Sequence, residues 1–186
     1  MAIARCISNT ALVSVLAMLA GCTPAPTPAS TASASTSAPP AASASATTLS
    51  PAEQDLQDAK QAVVKLWQVV DRLTNDPRTT LQDLDTVASG ETLEFFRKNL
   101  ASYRLQRLTG SGDSVIEVQA VQAAGNNDQG LAIWKVTACV DASKTKLVDS
   151  AGKNVSAPPY RIQHRSVVVQ RTQSLLVDQD EVLGTC

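Results

Sequence analysis

Leu19-Ala20-Gly21-Cys22 decides which compartment this chain occupies and which of its cysteines are free to pair. The tetrapeptide reads as a lipobox. Arg5 supplies a positive n-region ahead of it. Ile7 to Ala20 is an uncharged, mostly apolar run ending in small residues just before a cysteine, the pattern of an export signal. The run is shorter than the roughly 20 residues a spanning helix needs, which favours cleavage before Cys22 over an uncleaved helix. Cleavage nearby as an ordinary secretory peptide is the other reading. The expected organisation is a lipoprotein signal peptide over 1–21, a lipidated Cys22 with its tether over 22–50, and one folded domain over 51–186. Such a chain sits on the extracytoplasmic side of the cell membrane, held by lipid.

The cysteines then sort by position. Cys6 leaves with the signal and Cys22 is consumed by lipid, so Cys139 and Cys186 remain. An even pair in an exported domain is expected to be oxidised, the alternative being two buried thiols. Pairing also accounts for a cysteine at the last position, since a chain end frays unless something ties it down. Residues 51–186 hold all 17 acidic side chains and 15 of the 16 basic ones, a net charge of −2. That balance gives no electrostatic reason to expect nucleic acid as a partner, because phosphate binding needs clustered positive charge. Arg161, His164, Arg165 and Arg171 come nearest to a basic patch and read as the solvated face and rim of a strand.

From Thr23 to Ser50 the composition is almost wholly Ala, Ser, Thr and Pro, with Leu49 the one sizeable apolar side chain. A segment of that kind buries too little surface to offset its ordering entropy and reads as disordered. With prolines at 24, 26, 28, 39 and 40, it would reach roughly 30 Å as a coil and roughly 85 Å if fully extended. Its hydroxyls also offer sites for sugars.

Ser50-Pro51-Ala52-Glu53 is a helix start, with Ser50 as cap, Pro51 at the first helical position and Glu53 completing a capping box. Leu56, Ala59, Val63, Leu66, Val70 and Leu73 then recur at spacings of three and four, one apolar stripe that Pro77 should terminate. A short helix is expected from Thr80 with Gly90 as its stop. A third should run from Glu91 to Tyr103, with Leu93, Phe96, Leu100 and Tyr103 on one face. After Arg104 the period becomes two. Leu105 to Leu108 reads as a weak first strand, followed by a turn at Gly110-Ser111-Gly112-Asp113. In the next strand Ile116, Val118 and Ala120 face inward, and Gly125 to Gly130 is a hairpin loop. Leu131 to Asp141 is the central strand, with Trp134, Val136, Ala138 and Val140 turned to the helices. A small excursion at Leu147-Val148 with a turn over Asp149 to Lys153 precedes a last antiparallel pair, Tyr160 to Arg171 and Leu175 to Val182. Cys186 would then lie near the outer face of the central strand. The fold class is α+β, with N-terminal helices packed on an antiparallel sheet.

The lipobox, the Ala/Ser/Thr/Pro spacer, Leu73-Thr74-Asn75-Asp76-Pro77, Asp83-Leu84-Asp85-Thr86-Val87-Ala88, Trp134-Lys135-Val136-Thr137-Ala138-Cys139-Val140-Asp141 and Gly184-Thr185-Cys186 together resemble small exported lipoproteins of actinobacteria. Their domain looks like the nuclear-transport-factor-two and SnoaL-like cone, a curved sheet wrapped around helices. The resemblance spans most of residues 51–186 and departs at the Arg171 to Ser174 hairpin, where such proteins carry a glycine and an aromatic residue and Leu175 stands here instead. It implies polar groups inside the cone mouth, for which Tyr103, Asp141, Tyr160, His164 and Arg161 are the candidates.

These form no recognisable catalytic constellation. His164 is the only histidine, so no multi-histidine metal site is expected. Gly110-Ser111-Gly112 lacks the third glycine of a dinucleotide fingerprint, and neither a Gly-x-Ser-x-Gly elbow nor a phosphate loop is present. No cofactor is called for. The favoured expectation is a non-catalytic envelope domain that binds a small apolar ligand or a protein partner. One alternative is a small hydrolase, isomerase or dehydratase using Asp141 or His164 as base. Another is an interaction protein of the envelope, such as a phage-exclusion factor. Ile133, Val167 and Val169 on the outer sheet face would suit a homodimer. The lipobox makes the first test direct: Cys22→Ala should move the protein out of the membrane fraction, and unchanged membrane recovery would remove the lipid anchor.

Overall fold

The computed structural model describes residues 49–186; the expected signal peptide, Cys22 and nearly all of the expected tether lie outside them. The first helix, α1, spans Pro51–Asn75. Its start is the expected capping box: the Glu53 N–H donates to Ser50 Oγ at 3.3 Å, and the Ser50 N–H donates to the Glu53 carboxylate at 2.8 Å. Ala59, Ala62, Val63, Leu66, Val70 and Leu73 are its buried residues, the predicted stripe with Ala62 added and Leu56 at its edge. The second helical segment is a 3₁₀ turn over Leu81–Thr86, capped by Thr80 and anchored by fully buried Leu84.

Gly90 does not stop that turn; it opens α2, Gly90–Leu105. The three residues before the helix lie along a strand edge. Val177 N–H donates to Val87 O at 3.0 Å and Ser89 N–H donates to Val177 O at 2.9 Å. The chain must swing from that extended pairing into a helix, and Gly90 does so at φ +51 with Asp178 against it. A side chain there would meet the Asp178 carboxylate at 2.7 Å. Further along, α2 absorbs Leu105, which the alternating pattern assigned to a strand. Arg107 takes φ +55, its N–H donating to Arg104 O at 3.1 Å, while Leu108 N–H donates to Tyr103 O at 2.9 Å. Those two bonds make a Schellman close, with an arginine in the position where glycine is usual. Without the glycine, Leu105 to Leu108 reads falsely as a strand.

The first strand is instead β1, Thr109–Ser111, and the turn follows it at Gly112. Next come β2 (Val115–Asn126), β3 (Ala132–Asp141), β4 (Lys146–Val148), β5 (Arg161–Arg171) and β6 (Ser174–Thr185). All pairings between these strands are antiparallel. A four-stranded sheet has the order β2-β3-β5-β6, and β1 with β4 forms a separate two-stranded ribbon. The ribbon is the expected excursion at Leu147-Val148, closed by Asp149, whose carboxylate accepts from the N–H groups of Ala151 and Lys153. It is tied to α1 through Asn75, which donates to Gly112 O at 2.9 Å.

Both helices lie on one face of the four-stranded sheet. Trp134, Val136 and Ala138 of β3, Val168 of β5 and Val177 of β6 meet Leu66, Val70, Phe96 and Leu100 in the core. The inward set of β2 departs from strict alternation. Val118 pairs with Ala138 and Ala120 with Thr137, so Gln119 is an extra residue, a bulge that turns Ala120 outward and Val121 inward. The β5–β6 hairpin closes with Thr172 at φ +42, and Leu175, standing where an aromatic was expected, packs against the core. On the other face Val169 is buried within the chain, and Ile133 and Val167 are half-buried.

Cys139 and Cys186 form a disulfide with Cα atoms 6.0 Å apart. It spans 47 residues of sequence and runs from the central strand across β5, leaving Cys139 fully buried. On the chain-entropy model a loop of that length is worth about 4 kcal/mol. The double variant Cys139→Ala/Cys186→Ala should therefore lose about that much stability in urea unfolding. A loss below about 1 kcal/mol would mean that the folded domain does not need the crosslink.

Candidate functional site

A cavity of about 410 Å³ opens where the C-terminal half of α1, the middle of α2, the β1–β4 ribbon and the far end of the β5–β6 pair come together. Its wall is largely apolar: Trp67 and Val70 from α1, Phe96, Leu100 and Tyr103 from α2, and Ile162 from β5. Phe95 and Val182, 59% and 60% exposed, stand at its edge. The aromatic rings are mutually oriented. Trp67 meets Phe96 edge-on with centroids 5.6 Å apart, and Phe95 meets Phe96 in the same way at 5.2 Å. The two adjacent aromatics thus part ways: Phe96 enters the core and Phe95 turns toward the mouth. A second hollow of about 310 Å³, between α1 and the β5–β6 hairpin, is walled by Asp55, Asp58, Lys65 and glutamines with no aromatic residue. Its flexible polar lining makes it the weaker site for a ligand.

A polar cluster stands on the inner face of the sheet at the cavity. His164 and Ser166 alternate with outward Arg165 along β5, opposite Ala138 and Val136 of β3, and so share the core face. Asp180 of β6 pairs directly with Ser166. Its carboxylate accepts from Ser166 Oγ at 2.7 Å through one oxygen and meets His164 Nδ1 at 2.7 Å through the other. The His164 and Asp180 side chains are each 8% exposed. An ionised carboxylate can only accept, so Nδ1 carries the proton and the ring is held in one orientation. Trp67 packs edge-on against the imidazole, centroids 5.0 Å apart, and its indole N–H is enclosed with no partner.

His164 is thus not part of a solvated basic face, contrary to the reading of Arg161, His164, Arg165 and Arg171 as one patch. The three arginines each stand beside a carboxylate: Arg161 near Glu117 and Asp141, Arg165 near Glu181, Arg171 near Asp178. Of the candidate mouth residues, Tyr103 and His164 line the cavity together, while Asp141, Tyr160 and Arg161 do not. Asp141 sits at the end of β3, where hydrogen bonds from Ser143 and then the Arg161 charge hold its carboxyl below the usual range. That makes it a weak base. Tyr160 is exposed just ahead of β5.

Sequence reasoning missed Trp67, Asp71, Ser166 and Asp180. Trp67 and Asp71 flank the apolar stripe of α1 and face the cavity at the stripe's edge. Asp180 was hidden by a bulge. Val168 pairs with Val177 but Val167 pairs with Gln179, so Asp178 is an extra residue, and inward parity passes from Val177 to Asp180. Plain alternation from Val177 would have sent Asp180 outward.

Asp71 is partly buried at the cavity wall, accepting from the Ser114 N–H at 2.7 Å and Ser114 Oγ at 3.0 Å. Burial pushes its carboxyl above the ordinary value, the Ser114 hydrogen bonds oppose that rise, and neighbouring Asp113 adds to it. A carboxyl whose folded pKa is raised binds its proton more tightly in the folded state, so it adds stability as pH falls through that value. Urea midpoints measured from pH 7 downward should therefore show the wild type gaining on Asp71→Asn as the pH drops into the range of the raised carboxyl. Parallel profiles would show that Asp71 carries no such burial penalty.

No protein-family model matches the chain, and no curated protein does so either. Among solved structures it is similar to the intermembrane-space region of the chloroplast protein ARC6, at 16% identity and a TM-score of 0.51, over 70% of this chain and 98% of that one. It also aligns with Aln2 from a Streptomyces species at 14% identity and a TM-score of 0.39, over 72% of this chain and 91% of that one. The likeness to the ARC6 region is one of fold: an α+β domain with helices against an antiparallel sheet.

Proposed function

We propose that this is a lipid-anchored domain outside the cytoplasm whose helix–sheet cavity binds a small apolar molecule without transforming it. The observation that carries the reading is the cavity itself. At about 410 Å³ it falls within the roughly 300–1,000 Å³ range of small-molecule sites, and its aromatic wall with a few convergent polar groups has the composition such sites need. The placement draws on the lipobox and on the Cys139–Cys186 bond, which belongs in an oxidising compartment. Among the described residues no helix is long and apolar enough to cross a membrane; the attachment proposed, from the lipobox, is the lipid on Cys22. The resemblance to the SnoaL-like cone is in keeping with a ligand held between helices and sheet.

One observation favours a second reading, a small hydrolase, isomerase or dehydratase. His164 borders the cavity with its Nδ1 backed by Asp180, the pairing that orients a general base. Turnover of a bound compound that His164→Gln abolishes would establish it. The binding reading is tested with 2-methylnaphthalene and the purified Cys22→Ala chain. At a hundredfold excess over its Kd the compound should add about 2.7 kcal/mol to unfolding stability. Leu147→Trp, which puts bulk into the cavity wall, should weaken binding about tenfold or more. No stabilisation at saturating compound, or binding indifferent to Leu147→Trp, would overturn the reading.

A further inference from the structure

Within the His164–Ser166–Asp180 cluster one side-chain nitrogen is left over once the internal hydrogen bonds are made. His164 Nδ1 is committed to Asp180, and Nε2 has no hydrogen-bond partner among the described residues. Nor is Nε2 among the enclosed side-chain nitrogens and oxygens that lack a partner, which among the described residues belong to Trp67, Thr92, Arg104 and Arg171. A ring nitrogen that is neither bonded nor enclosed reaches open space, and the open space that His164 borders is the cavity. Its chemistry is set from behind. Asp180 accepts from Ser166 and from Nδ1–H, so the neutral ring carries its proton on Nδ1 and presents a lone pair at Nε2. The other ionisable carboxyl on the wall, Asp71, is likewise an acceptor, with both oxygens already engaged by Ser114. Beside His164 the largely apolar, aromatic wall thus offers an acceptor, while Tyr103, Asn99 and Lys146 among the other lining residues can donate. A deprotonated acid has no proton to give Nε2, and a pure hydrocarbon would leave it unpaired.

Resting on the ligand-binding reading above, we infer that the cavity selects apolar molecules bearing a neutral hydroxyl, which donates its proton to His164 Nε2. Asp180 and Ser166 are positioning residues: they choose the tautomer and never touch the ligand. The Asp180→Asn variant turns that logic around. The asparagine carbonyl keeps accepting from Ser166 Oγ, so its NH₂ faces His164 Nδ1, which must then accept; the ring proton moves to Nε2, and the cavity presents a donor.

Three probes of one shape separate the possibilities: 2-naphthol donates and accepts, 2-methoxynaphthalene only accepts, and 2-methylnaphthalene does neither. The purified Cys22→Ala chain at pH 8 should bind 2-naphthol about tenfold more tightly than 2-methylnaphthalene, the worth of one well-made hydrogen bond to a buried acceptor. The 2-methoxy compound should show no such gain. In Asp180→Asn the preference should shift from 2-naphthol toward 2-methoxynaphthalene. Because His164 is the only histidine in the chain, its two ring ¹⁵N signals can be read without assignment. In the unaltered cluster they should report the Nδ1–H tautomer, and 2-naphthol should move Nε2 while 2-methylnaphthalene leaves it in place. Equal affinity for all three probes keeps the apolar cavity and overturns the hydroxyl preference, whereas no binding by any of them removes the ligand reading together with this inference. Should Asp180→Asn fail to fold, the nitrogen signals of the Asp180 protein decide alone: a Nε2 signal unmoved by 2-naphthol overturns the inference.

Discussion

A carboxylate placed on the core side of a sheet must find its hydrogen bonds there, because water no longer supplies them. Asp180 finds two, Ser166 Oγ directly across the strand pair and His164 Nδ1 one step along the same face. That mutual satisfaction lets three polar side chains stand in line with Val136, Ala138 and Val168. It also orients the imidazole against Trp67. The cavity is therefore more than space left by imperfect packing. Its floor carries a ring whose tautomer is decided by a residue that does not face the opening.

The helices hold their places over this floor through contacts that are remote in sequence. The extended residues Val87 to Ser89 pair with Val177 and cover part of β6, which would otherwise be a bare edge at that point. Gly90 then turns the chain into α2 against Asp178, the bulged residue whose insertion carries Asp180 inward. The same bulge thus serves both sides of the sheet: outward, Asp178 accepts from Ser89 Oγ and approaches Arg171, and inward, the parity change delivers the partner of His164. Asn75 of α1 holds the ribbon that closes the cavity's remaining side. The disulfide fastens the end of β6 to the central strand across β5 and restricts fraying near Val182 at the cavity edge.

Much of the fold was legible in the residues. The capping box at Ser50 and Glu53, the stripe from Ala59 to Leu73 and the stop before Pro77 describe α1 almost to the residue, because each is a local rule of helix chemistry. The inward set Trp134, Val136, Ala138 and Val140 was equally plain, since a half-buried strand advertises its face by alternation. Errors arose where a local rule was broken without its usual residue. Arg107 closes α2 in a conformation that glycine normally signals, and Gly90 begins a helix where glycine normally ends one.

The candidate site divides along the same line. His164 and Tyr103 could be named from the chain alone, because a lone histidine and a tyrosine on an amphipathic face are conspicuous. Which face His164 takes, who sits behind it and whether Asp141 joins it could not. Sequence by itself determined α1, most of the strands and the buried faces of α1 and β3, since these follow from near neighbours. Only the tertiary structure decided the site, because a single-residue bulge reverses the parity of every residue after it. Bulges answer to strand pairing and edge contacts contributed by residues far away in the chain.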